Sequence, residues 1–163
     1  MFTRSGGKCV AHFEPTEAAV LHTVVIEVMA LLTEEFDHGD PVVQRLFPDM
    51  YPEDPTSSAD LRRYTEDDLR EGKLEQAAAL LDDLPRKGGS VALPGDRSEM
   101  WLRTLTDVRL ALGTRLNVTD DTDIEAELDE AVFRDPTSAQ VGDLSVYAYL
   151  SFLQGSLVEA LMG

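Results

Sequence analysis

The side chains with most chemical potential gather in one stretch, residues 98–116, where a tryptophan, three arginines and an aspartate recur at helical spacing. At 100° per residue, Trp101, Leu105, Val108, Leu112 and Leu116 make an apolar stripe. Arg109 and Arg115 flank that stripe on opposite sides. Arg103 and Asp107 stand four residues apart on the outer face, where a helix lets them pair. A half-buried guanidinium usually takes a carboxylate through two parallel hydrogen bonds, and a chain with 31 Asp and Glu has many to offer. Structural ion pairing is therefore expected for Arg109 and Arg115. A ligand or enzymatic site built around Trp101, Arg103, Asp107, Arg109 and Arg115 is the alternative. Gly113 costs about 1 kcal/mol against alanine inside a helix and so marks a close crossing with another helix.

A second basic group, Arg62, Arg63, Arg70 and Lys73, is interleaved with Glu66, Asp67, Asp68 and Glu71. It reads as a solvated helix face laced by ion pairs, with a docking site for an acidic partner or a phosphate as the alternative. Asp120, Asp121 and Asp123 lack the glycine and the spaced glutamate of a calcium loop, and fit a helix N-terminus instead. His12, His22 and His38 have no metal-ligand spacing, and Cys9 is too distant to complete one. His22, between apolar positions, is expected in the core. There is no glycine-rich phosphate loop, and Gly155-Ser156 sits inside a helical pattern, which rules out a nucleophile elbow there. No catalytic constellation, metal site or cofactor is expected.

The elements that would position these residues are mainly helical. Residues 8–13 alternate as a strand does, and Pro15 with Glu17 opens a helix to about Phe36. Only Thr23, Glu27, Ala30 and Glu34 form a polar strip on that helix, so other elements should surround it. A short helical piece over 41–46 precedes an irregular loop set by Pro48, Pro52 and Pro55. Ser57 or Ser58 can cap the next helix, which runs to about Leu84 with a break near Tyr64, where Thr65 and Asp68 offer a second cap. Residues 90–93 are β-like, with 8–13 as their partner. Asp96 or Ser98 opens the tryptophan helix, and Asn117 in a left-handed conformation, with Val118 folding back, closes it. Thr122 and Glu125 are spaced as a capping box for a short acidic helix, and a last helix spans 138–161. The expected fold is mainly α: a single-domain helical bundle, 1–163, of about five to six helices with a short two-stranded β ribbon. The last helix has a core face (Val146, Tyr147, Leu150, Leu153, Leu157, Leu161) and a second face of Ala148, Phe152 and Gly155. That second face suits a partner helix, a homodimer or burial within the domain.

Composition narrows the function classes. With 14 basic against 31 acidic residues the formal net charge is −17, which repels the polyanions that nucleic-acid binders hold through Lys and Arg clusters. Nucleic acid and anionic lipid are not expected partners; a protein partner is. The apolar run 18–32 is broken by His22 and Glu27 and falls short of the roughly 20 residues of a membrane span, so it reads as a core helix. A lone cysteine and no apolar run after the first basic residues point to the cytoplasm.

Three stretches together resemble a known family: Arg45-Leu46-Phe47-Pro48-Asp49 with Tyr51, then LRRYTEDDLR over 61–70, then WLRTLTDVRLALGTRL over 101–116. The chain is similar along nearly its whole length to the actinobacterial domain of unknown function 2017 (DUF2017). Thr106 and Val108 stand where that family commonly has Asn and Leu, changes that preserve an outer polar and a core apolar position. The resemblance carries no catalytic role to any residue. The family's genes tend to lie beside the Clp protease adaptor and near a metallopeptidase with a sulfur-carrier protein, and some members bear a transcription-regulator label. The resemblance thus implies a protein-interaction or regulatory module linked to proteolysis or sulfur metabolism. A DNA-binding regulator conflicts with the charge.

Overall fold

A computed structural model of the chain describes residues 1–48 and 53–163, with the backbone alone at positions 55, 58, 59, 62 and 63. Among the described residues three strands, β1 (Phe2–Ser5), β2 (Lys8–Phe13) and β3 (Gly89–Leu93), accompany six helices. The helices are α1 (Pro15–Thr33), α2 (Pro41–Leu46), α3 (Pro55–Asp83), α4 (Gly95–Arg115), α5 (Ile124–Arg134) and α6 (Ala139–Met162). The mainly α fold matches the expectation, and β2 pairs with β3 as anticipated, Cys9 opposite Leu93 and Phe13 opposite Gly89.

The sheet has a third strand that the sequence reading missed. Gly6 and Gly7, at φ of 57° and 77°, make the tight turn that folds β1 back on β2, a turn that needs positive φ at both central residues. Phe2, Cys9, Ala11, Phe13, Val91 and Leu93 then point to one face and join the core beneath it. Helix α4 runs through the middle of the molecule, against α1, α2, α3 and α6, which explains why its apolar stripe is so complete.

Several boundaries differ from expectation. Helix α3 is unbroken over 29 residues. The hydroxyl of Thr65 donates back to the Leu61 carbonyl at 3.0 Å instead of capping a new helix. Its N-cap is Asp54, which accepts from the Ser57 amide at 3.1 Å and the Ser57 hydroxyl at 2.7 Å, so Ser57 is the capped residue rather than the cap. Asp123, not Thr122, caps α5 by accepting from the Ala126 amide; Thr122 accepts from the Thr119 amide in the preceding turn. At the end of α4 the expectation holds: Asn117 has φ 58°, and the Val118 amide reaches the Gly113 carbonyl at 2.8 Å. Ser138 caps α6 as a serine should. Of the proline loop expected around 48–55, residues 49–52, including Asp49 and Tyr51, lie outside the described residues.

Helix α1 ends at Thr33 and is not enclosed on all sides. Ala18, Leu21, Val25, Val28 and Leu32 form its buried stripe, His22 is only half-buried, and Ile26 is 43% exposed. The helix lies at the edge of the bundle, where α3, α4 and β2 cover one side of it. By length and composition it is the one described helix that could cross a membrane, and its buried stripe belongs to the common core.

Candidate functional site: a basic cavity beside the central helix

The side chains singled out on α4 radiate in different directions. Trp101 is fully buried, its ring edge-on to Phe2 at 5.7 Å and tilted against Phe13 at 5.9 Å. Its Nε1–H donates to Asp83 Oδ2 at 3.1 Å. The arginine that grips a carboxylate with two nitrogens is Arg97, one turn before the tryptophan. Its Nε and Nη2 reach the two Asp83 oxygens at 3.0 and 2.9 Å, and Nη2 also donates to the Ala79 carbonyl. Trp101, Arg97 and Asp83 thus lock α4 to the end of α3. The sequence signal was the four-residue spacing of Arg97 and Trp101, which lets one carboxylate serve both.

Asp107 does not pair with Arg103. It turns inward, is 8% exposed, and accepts from Lys73 Nζ of α3 at 2.8 Å. Burial pushes its carboxyl above the ordinary range, and the Lys73 ammonium pulls it part of the way back. Arg103 is left exposed, with no ion pair among the described residues. The outer-face reading failed because α3 covers that side of α4. Arg115 is also exposed rather than half-buried, and its nearest carboxylate, Glu27, is 3.9 Å away between two solvated side chains. Arg70 stacks over the Phe36 ring at 3.7 Å, with its Nε buried and without a hydrogen-bond partner among the described residues. The side chains of Arg62 and Arg63 lie outside the described residues. Among the described residues, no three His, Cys, Asp or Glu side chains are grouped to hold a metal.

Arg109 departs most from its expected role. No carboxylate lies within ion-pair distance of it among the described residues. Its Nε donates to Ser151 Oγ at 2.8 Å, its Nη1 reaches Gln154 Oε1 at 3.4 Å, and its guanidinium faces the Tyr147 ring at 5.4 Å. Gln154 is itself fixed by donating to Thr106 Oγ1 at 2.8 Å. The close crossing expected at Gly113 is also here: a Cβ on this glycine would meet Tyr147 Cε2 at 2.9 Å. Tyr147 and Arg109 line a cavity of about 730 Å³ between α2, α4, α6 and the segment leading into α5. Arg45, from the last turn of α2, lines it too, with Asp120 also on its wall. Sequence reasoning missed Arg45 as a site residue although it opens the first of the three family-like stretches.

The family model for a domain of unknown function, DUF2017, matches residues 1–161. The chain belongs to this family. Among curated relatives, the oxidative stress regulator AosR of Mycobacterium tuberculosis and that of Mycobacterium bovis are each 28% identical over 194 residues, covering 99% of this chain and 85% of their own length. A counterpart from Mycobacterium leprae named after the same regulator is 32% identical over 137 residues, covering 76% of this chain and 59% of its own length. No solved structure matches. The family match runs through every strand and helix described above, and the curated relatives bear the name of a regulator.

Proposed function

We propose that this chain is a non-catalytic, cytosolic regulatory module that acts by binding another protein, through the outer face of α6. The observation that carries the reading is an aromatic side chain held in water by a rigid helix. Phe152 is 55% exposed, and a Cβ placed on nearby Gly155 would meet nothing within 4 Å. The opposite face of the same helix, through Leu150, Leu153 and Leu157, is fully buried, so α6 cannot rotate to hide Phe152. A large apolar side chain beside a flat glycine surface is what a partner helix or a second copy of the chain requires.

The relatives' regulator names support the regulatory half of this reading. The net charge of −17 favours a protein over DNA as the target. The family's gene neighbourhood puts the Clp adaptor and the sulfur-carrier system first among partners to try. Within these 163 residues the single cysteine, Cys9, is 3% exposed in β2, so a response to oxidants does not run through a disulfide between two of them. Native co-purification with mass spectrometry, joined to light scattering of the purified chain, tests the proposal. A stoichiometric partner or a dimer is expected; a monomer that returns alone from the cell would end it. Salt-dependent DNA binding at micromolar concentration would replace it with the DNA-binding reading.

A further inference from the structure

We infer that the cavity beside α4 binds a small organic anion, whose carboxylate or phosphate group is held by Arg109 and Arg45. This inference concerns a second site and stands independently of the partner face on α6.

Arg109 is oriented without being neutralised. Of a guanidinium's five N–H donors, one is engaged by Ser151 and another by a long contact to Gln154, so the remainder are free for an oxyanion. The Thr106–Gln154–Arg109–Ser151 chain of hydrogen bonds fixes the planar fork in advance, as sites for carboxylate and phosphate do. Acidic residues outnumber basic ones 31 to 14 in this chain, and Lys73, Arg97, Arg115 and Arg134 each have a carboxylate partner. Among the described residues neither the partly buried Arg109 nor Arg45 on the same cavity wall has a carboxylate within ion-pair distance, so even with Asp120 on that wall the space carries a net positive charge.

The size and the remaining walls define the class of ligand. About 730 Å³ lies within the 300–1,000 Å³ typical of small-molecule sites. Leu110, Val118 and Ile124 give it an apolar side that an inorganic ion would leave unused. Asp120 on the same wall can accept from a hydroxyl or ammonium, so a donor on the ligand adds a contact without being required for the anionic group to bind.

The test is titration of the whole chain, followed by calorimetry and by NMR of the arginine Nε–H signals, at matched ionic strength with sodium chloride as control. The probes are inorganic phosphate, phenyl phosphate and 3-hydroxybutyrate. Saturable binding of one or both organic probes is expected, tighter than phosphate, with the Arg109 Nε–H signal shifting. Phenyl phosphate against 3-hydroxybutyrate separates a phosphate from a carboxylate ligand. Arg109→Gln and Arg45→Gln should each weaken binding about tenfold or more, while Arg103→Gln, outside the cavity, should not. Arg45 is exposed, so its variant will fold even if Arg109→Gln does not. No saturable binding of any probe beyond the chloride control, or binding unchanged in Arg45→Gln, overturns the inference.

Discussion

Lys73 and Asp107 show how one substitution can be given a pH signature. Asp107 has a folded pKa above its ordinary value of 3.8, so its contribution to stability is complete below that value and declines as pH rises through the raised one. Lys73→Met removes the charge that draws the carboxyl back down. Breaking a fully buried pair costs 3–5 kcal/mol, and with 19% and 12% of these side chains still exposed the loss at neutral pH should be about 2–3 kcal/mol. Urea unfolding should show a smaller loss near pH 4 (about the unfolded pKa of Asp), and Asp107→Leu added to Lys73→Met should recover most of it. At Gly113, alanine gains about 1 kcal/mol of helix propensity but must push the buried Tyr147 ring, which costs about 1–3 kcal/mol. Thermal unfolding of Gly113→Ala should therefore show a net destabilisation of about 1 kcal/mol. The glycine was legible in the sequence because its penalty demanded a reason. The partners of the arginines and of Asp107 were not, since Asp83, Glu27, Ser151 and Lys73 reach α4 from three other helices, and helical spacing reports one helix at a time.

At the scale of elements, local signals were reliable where the chain itself closes the hydrogen bonds. Asn117 and Val118 end α4, Ser138 opens α6 and the pairing of β2 with β3 follows from alternation. They failed where a competing local bond existed, as at Thr65 and Thr122, or where a short polar strand such as β1 depended on a two-glycine turn for its recognition. The continuity of α3 has a direct consequence at Gly72, which sits mid-helix with open space around its missing Cβ. Gly72→Ala should stabilise the protein by about 1 kcal/mol in chemical denaturation. A break in α3 near Tyr64 would not alter that gain, but it would expose rapidly exchanging amides at 64–68, whereas the unbroken helix predicts contiguous protection there.

For the molecule as a whole, charge and apolar surface pull toward different properties. A net charge of −17 on 163 residues repels itself, so raising sodium chloride from about 0.01 to 0.5 M, which shortens the screening length from about 30 Å to a few ångströms, should raise the melting temperature rather than lower it. The same charge turns the molecule away from polyanions and leaves its exposed apolar positions as the places where a partner gains most. The family was legible from three short stretches, while the cavity lined by Arg45 and Arg109 was not, because α2 and α4 are far apart in sequence and meet only in the folded bundle. The most direct test of a regulatory module acting through α6 is a photoreactive residue placed at Phe152 in the living cell, with Tyr64, 84% exposed on α3, as the control position. A discrete cross-link from position 152 to one protein or to a second copy of the chain, absent from position 64, is the predicted result; no cross-link at 152, or the same diffuse products from both positions, would contradict it.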